Sequence, residues 1–189
     1  MQHPIVCVEY PEWVGRIVDW DRQYVSDEDR MRVAIAVARE NVLASAGGPF
    51  GAAIFERDSG ALVSVGMNSV VRLANSVLHA ETVAFMLAQA RLGSYTLAAP
   101  GMPAHELFTS CEPCAMCLGA TLWSGVKRVV YGAARADVES LNFDEGPVFA
   151  DSYRYLEARG IRFTRHSLRD EAREVLELYR NRGGPIYNG

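Results

Sequence analysis

Two short runs carry the residue types that could do chemistry together: His79-Ala80-Glu81 and, further on, Pro113-Cys114-Ala115-Met116-Cys117. An imidazole and two thiolates are zinc-type ligands, and three of them leave one corner of a tetrahedral ion open. The C-x-x-C spacing lets both cysteines reach one ion from a single helical turn, while His79 supplies the third bond. Water or hydroxide would take the fourth position, because an ion of this kind lowers the pKa of bound water toward neutrality. Glu81 is not a ligand in this reading; two residues from the histidine, it is placed to move the water's proton. That set describes a hydrolytic centre. A closed structural site would need a fourth protein ligand, for which Cys111 is the candidate. A redox pairing of Cys114 with Cys117 would leave His79 and Glu81 without a role.

Helices and strands must bring these residues to one point. Ser26 precedes an acidic turn, Asp27-Glu28-Asp29, and Met31, Ile35, Ala38 and Val42 follow at helical spacing until Gly47-Gly48-Pro49 stops the helix near Ala46. Residues 50–55, the turn Asp58-Ser59-Gly60 and residues 61–65 read as a β-hairpin, with Gly51, Ala52 and Ala53 allowing close backbone approach. Residues 79 to 91 read as a second helix stopped by Gly93, with His79 and Glu81 in its first turn. Residues 106–110 form a strand, and Pro113 opens a helix running to Ser124, with Cys114 and Cys117 in its first turn and Glu112 capping it. Strands over 127–131 and 161–164, a helix after Pro147 and an amphipathic helix over 170–180 complete the pattern. Two helix N-termini would then face one another across the metal, their positive potential favouring the Glu81 carboxylate and an anionic hydroxide. Alternating strands and helices predict an α/β, three-layer α-β-α fold around a central mixed sheet of about five strands.

Composition limits the partners. At 189 residues and 49% hydrophobic, the chain can fill one core. It divides into an N-terminal extension over 1–25, a body over 26–166, and a C-terminal helix and tail over 167–189. A net charge of −4 gives no general attraction to a polyanion, which favours a small substrate over nucleic acid. Three of the four cysteines crowd between 111 and 117, a usage that suits a reducing cytoplasm rather than a disulfide framework. No apolar run has the length of a membrane span, and residues 1–4 lack a secretory pattern, so a soluble cytoplasmic protein is expected.

In their order and spacing the two motifs match the H-x-E…P-C-x-x-C signature of zinc-dependent nucleobase deaminases. The chain resembles the cytidine-deaminase-like fold over residues 26 to 166, and His79 in place of a cysteine resembles its His-Cys-Cys branch. That branch includes tRNA adenosine, cytosine, deoxycytidylate and bacterial guanine deaminases. The runs 47–52, 109–114 with 116–120, and Asn142-Phe143-Asp144-Glu145 look most like the bacterial guanine deaminases. The resemblance implies one zinc per subunit on His79, Cys114 and Cys117, with Glu81 as proton carrier. It implies base contacts from Asn68 and from the pair Asp144 and Glu145, with Glu145 the better match and a sharer of proton transfer. Phe50, Ala80 and Tyr187 would complete the substrate site. The implied activity is hydrolysis of a cyclic amidine C–N bond, guanine giving xanthine and ammonia. The alternatives are a tRNA adenosine deaminase or a deaminase of another small aminated heterocycle such as cytosine or a triazine. A homodimer is also implied, with the C-terminal segment exchanged between subunits. Read without the resemblance, Asp144 and Glu145 are a solvated pair, Asn68 a turn residue and Phe50 a core residue.

Overall fold

The structure, a computed structural model, describes residue 3 and residues 5–188. Residues 1, 2 and 4, on which the expectation about the start of the chain partly rests, lie outside the described residues. A short helix α1 (Val14–Ile17) precedes α2 (Asp27–Leu43), β1 (Gly51–Glu56), β2 (Leu62–Met67), α3 (Ala80–Leu92), β3 (His105–Cys111) and α4 (Ala115–Ser124). Then come β4 (Arg128–Ala133), α5 (Arg135–Glu139), α6 (Ala150–Ala158), β5 (Arg162–Thr164) and α7 (Arg169–Asn181). The sheet has five strands in the order β2-β1-β3-β4-β5. It is mixed: β1 is antiparallel to β2 and β3, while β4 is parallel to β3 and β5.

Strand alternation builds two cores from one sheet. Ala53, Phe55, Phe108 and Val130 turn to the side covered by α2 and α7, where Met31, Val37 and Val175 meet them. Ala52, Ile54, Leu107 and Val129 turn to the side of α3, α4 and α6, against Ala84, Phe85, Leu118 and Leu156. The result is the expected α-β-α arrangement. Gly51 and Gly66 set how closely the helices approach: a Cβ would fall 2.3 Å from the Ala34 carbonyl at Gly51, and 2.0 Å from the Ala80 carbonyl at Gly66. The second of these lays the start of α3 directly on β2. The N-terminal segment buries Trp13, Val14 and Val18 in the α2-side core. Its Tyr10 hydroxyl accepts from the Val65 N–H on β2, the strand that ends the sheet and would otherwise present bare backbone.

The expected elements are present, with shifted ends. α2 stops at Leu43 rather than near Ala46. His79 and Cys114 are the N-caps of α3 and α4, with extended backbone at ψ 160° and 174°, and do not lie inside the first turns. Pro113 therefore precedes the cap of α4 instead of occupying its first turn; its fixed φ suits the extended entry equally well. α5 was not anticipated, since five residues give no periodicity to read. It is fixed by Asp137, whose carboxylate accepts from Ala134 N–H at 2.8 Å and from Arg169 on α7 at 2.8 and 2.9 Å.

Two features yield predictions about stability. Arg30 is buried with three bonds, to Glu106 at 3.0 Å and to the carbonyls of Tyr24 and Arg57 at 2.8 and 2.9 Å, and Glu106 is 2% exposed. Removing one partner strands a buried charge. Glu106→Ala is expected to cost about 3–5 kcal/mol in urea unfolding, whereas Asp58→Ala, at the exposed Arg57–Asp58 pair, leaves the midpoint in place. The hydrogen bond from Arg169 holds the Asp137 carboxyl below its ordinary range. A depressed carboxylate stabilises the fold above the unfolded value near pH 4 and loses that contribution as pH falls through the folded value. Unfolding measured between pH 6 and pH 3 should therefore be less pH-dependent in Asp137→Asn than in the unaltered chain.

Candidate metal centre and active site

β2 leads into the loop that ends at α3, and β3 leads directly into α4, so both helix N-termini open at the same place. There His79 Nδ1 lies 3.4 Å from Cys114 Sγ and 3.6 Å from Cys117 Sγ. The three ligand atoms all fall within 4.8 Å of one another. A tetrahedral ion with ordinary Zn–N and Zn–S bonds requires N···S separations of about 3.6 Å, so these residues fit a zinc ion without rearrangement. The donor set, one imidazole and two thiolates, also suits zinc. Cys111 is buried nearby but does not join the group; its Sγ accepts from the Ser110 hydroxyl at 3.8 Å. The fourth-ligand reading of Cys111 is therefore not what the described residues form.

Glu81, 6% exposed, points at this centre. Its Oε2 accepts from Cys117 Sγ at 3.2 Å and its Oε1 from the Thr109 hydroxyl at 3.3 Å. Burial, then the neighbouring Cys114 charge, raises the Glu81 carboxyl above its ordinary range. The same two causes, followed by Glu81 itself, push Glu145 up to about 8. Cys114 is pulled down to about 4 by the hydrogen bond from Cys117 and, against burial, by that from His79. Cys117 is raised well above the thiol range by the bond it gives Cys114 and by burial. Burial works to lower His79, but the hydrogen bond and charge of Cys114 outweigh it and its pKa is raised. Several acids thus share too few favourable places for negative charge, the condition that a divalent cation relieves.

A cavity of about 370 Å³ opens above the ligands. It is lined by Phe50, Asn68, His79, Glu81, Cys114, Asp144, Glu145 and Tyr187, which brings together most of the residues singled out in the sequence. Two are not in its lining: Cys117 is fully buried with its sulfur beside His79 and Cys114, and Ala80 is fully buried among Ala52, Ala84 and Phe85. Asn68 is fully buried, its Oδ1 accepts from Val70 N–H at 3.3 Å, and its Nδ2 has no partner. Phe50 and Tyr187 both meet Phe143 edge-on, at 5.2 and 5.1 Å between centroids, forming an aromatic wall. The Tyr187 hydroxyl also lacks a partner among the described residues, and a Cβ on Gly48 would lie 1.8 Å from it.

The two adjacent acids separate. Asp144 is exposed, with Oδ1 accepting from Gly146 N–H at 2.8 Å, whereas Glu145 turns inward. Their loop is tied down by Ala115 N–H to the Glu145 carbonyl at 2.9 Å and by Arg135 to the Val148 carbonyl at 3.2 Å. Asn188 in the tail grips it twice, accepting from Asp144 N–H at 2.8 Å and donating to the Asn142 carbonyl at 2.9 Å. Glu112 does not cap α4; it accepts from Arg135 N–H at 3.0 Å and from the Tyr153 hydroxyl at 2.6 Å, joining β3 to α5 and α6. His105 is a satisfied core histidine, with Nδ1 2.8 Å from the Leu97 carbonyl.

Sequence reasoning missed Asn41, whose buried Nδ2 donates to the carbonyls of Gly48 and Asn68, each at 2.9 Å, and so ties the turn before β1 to the loop after β2. An asparagine amid apolar residues in a helix interior was the available signal. It also missed Thr109, which no local pattern distinguishes from other strand threonines.

Comparison with known proteins agrees with this geometry. The family model described as the cytidine and deoxycytidylate deaminase zinc-binding region matches residues 25–133. The guanine deaminase of Bacillus subtilis (strain 168) is 37% identical over 139 residues, 74% of this chain and 85% of that protein. The solved guanine deaminase of Nitrosomonas europaea superposes with a TM-score of 0.89 at 42% identity, covering 96% of this chain and 99% of that one. The crystal structure of a mutant protein in complex with 8-azaguanine gives the same TM-score of 0.89 at 42% identity, over 96% of this chain and 98% of that one. Three ligands at tetrahedral spacing, a buried glutamate beside them and a family match spanning both motifs lead to one assignment: the chain belongs to the cytidine and deoxycytidylate deaminase family of zinc-binding proteins.

Proposed function

We propose that the chain hydrolyses the exocyclic C–N bond of free guanine, releasing xanthine and ammonia, with zinc held by His79, Cys114 and Cys117. The observation that carries the substrate assignment is Glu145, a half-buried second carboxyl lining the same cavity as Glu81. Guanine presents N1–H and the C2 amine along one edge, a donor pair that one carboxylate accepts; adenine has no imino donor there. Asp144, exposed at the rim and engaged with Gly146, is the weaker choice as base reader. Asn68 Nδ2 is free to donate to a ring acceptor, and Phe50 and Tyr187 wall the pocket against water. The names of the relatives, two guanine deaminases and a protein bound to 8-azaguanine, support the same reading.

Zinc, when bound, supplies the Lewis acidity that makes water a nucleophile at neutral pH. Glu81 takes a proton from the attacking water and hands it to ring N3 as C2 becomes tetrahedral. The departing amine needs a further proton, and Glu145, raised to about 8 and so able to hold a proton at neutral pH, is suited to share that transfer with Glu81. A tRNA substrate fits less well, because the chain carries a net charge of −4 and Tyr187 takes up part of the cavity that a flipped nucleotide would have to enter. The proposal extends to a cytoplasmic homodimer, with residues 1–25 as an extension of the 26–166 body and residues 167–189 as the closing segment. Trp123 and Met86, exposed on the neighbouring helices α4 and α3, are apolar surface of the kind that interfaces bury. The described chain carries Tyr187 into its own cavity, and exchange of the segment would bring the same side chain to a neighbour's.

Ammonia release from guanine, with tRNA and other aminated rings run in parallel, tests the activity. Glu81→Gln should retain zinc and lose kcat by roughly 10²- to 10⁴-fold; near-normal turnover would remove Glu81 from the mechanism. Glu145→Gln should raise KM for guanine and lower kcat together, and unaltered kinetics would cancel both of its roles. Zinc affinity should strengthen as pH rises, because Cys117 and His79, both raised, must give up protons to bind the ion. Chelator competition between pH 6 and 9 reads that slope, and Cys111→Ser should leave it unchanged.

A further inference from the structure

We propose that Thr109 is a positioning residue for Glu81, holding one carboxylate oxygen so that the other is free to carry the proton. This rests on the proton-carrier reading of Glu81. Glu81 receives two side-chain hydrogen bonds, from Cys117 Sγ on Oε2 at 3.2 Å and from Thr109 Oγ1 on Oε1 at 3.3 Å. Only one can persist in the working protein. A cysteine that ligates zinc does so as thiolate and has no proton to give, so the bond on Oε2 ends when Cys117 becomes a ligand. Thr109 is then the side-chain donor that remains on Glu81 among the described residues, and Oε2 is the oxygen left facing the centre.

Thr109 is built to be a fixed donor. It is 1% exposed near the middle of the sheet, paired with Ala52 on β1 and with Tyr131 on β4. Its branched side chain has little χ1 freedom. Among the described residues its hydroxyl makes no other side-chain hydrogen bond, whereas the adjacent Ser110 hydroxyl is engaged by Gly51 N–H at 3.1 Å. A carboxylate that must serve water, N3 and the departing amine in turn has to swing about a defined axis, and a rigid donor on Oε1 supplies one. The 3.3 Å separation is longer than an ordinary O–H···O bond. Hydrogen bonds of this kind are often long without substrate and tighten when the reaction complex forms.

The experiment compares Thr109→Val, Thr109→Ser and Glu81→Gln in the zinc-loaded full chain with guanine. Thr109→Val is expected to lower kcat roughly ten- to hundredfold, the effect of losing a hydrogen bond to a charged group, with KM within about twofold and zinc content unaltered. Thr109→Ser, which restores the hydroxyl, recovers most of kcat. A readout independent of turnover is the infrared carboxylate band of Glu81, isolated as the difference between the unaltered chain and Glu81→Gln without substrate. It should shift in Thr109→Val and hold in Thr109→Ser. Should the valine variant fail to fold, Thr109→Ala removes the hydroxyl without adding bulk and is read the same way. Unchanged kcat and an unshifted band, with Glu81→Gln inactive, overturn the role of Thr109 and leave that of Glu81 standing. Equal losses in the valine and serine variants overturn it too, as the mark of a packing role. An active Glu81→Gln instead removes the reading on which the proposal rests.

Discussion

The constraint on which the centre depends is the use of two helix ends that are not capped by their own residues. His79 and Cys114 occupy the N-cap positions of α3 and α4, yet neither side chain makes the usual bond back to the helix. Both are turned across the helix ends toward each other. The helix ends still point a positive potential at Cys114, Cys117 and Glu81. Each helix end is worth about 0.3–1 kcal/mol to a nearby anion, up to about 2 in partly buried geometry. Burying an unpaired carboxylate or thiolate costs several times that. The helix ends therefore orient the acids without compensating for them, and a divalent cation is what balances the charge.

The catalytic half of the site was readable because it is local. His79 with Glu81, and Cys114 with Cys117, are each fixed within one turn, so spacing alone puts each pair at a common point. The sheet was readable for a related reason: β1, β3 and β4 alternate between two buried faces and are bounded by glycine and proline. What failed was the position of the caps. Counting His79 and Cys114 into the first turns follows from helical spacing, but a cap residue keeps extended backbone, and sequence pattern does not separate the two within a residue.

The substrate half was less legible because tertiary contacts make it. Asp144 and Glu145 are chemically alike and adjacent; Gly146 and Asn188 decide which one turns inward, and Asn188 lies 44 residues from Asp144. Asn41 reaches Asn68 across 27 residues, and Thr109 reaches Glu81 across 28. Ala80, expected in the substrate site, stands between His79 and Glu81, and helix geometry sends its side chain to the core. This half of the cavity is carried by segments without regular structure, tied by side-chain bonds to backbone from Asn41, Arg135 and Asn188. Segments held in that way open at lower free energy than the sheet does.

Charge then links the proposed chemistry to selectivity. After burial, the charge of Cys114 raises the cost of ionising both Glu81 and Glu145 inside one cavity, and Glu81 adds to it at Glu145. An incoming phosphate would add a further negative charge to that set, with the chain's net charge of −4 offering nothing to offset it. A neutral base that donates along one edge adds no charge and supplies hydrogens to the oxygens that need them. Under the proposed function, the carboxyls that would move protons would also add repulsion against a phosphorylated relative of the substrate. Tyr187, which lines the pocket and meets Phe143 edge-on, would add a steric term to the electrostatic one against a substrate larger than a free base.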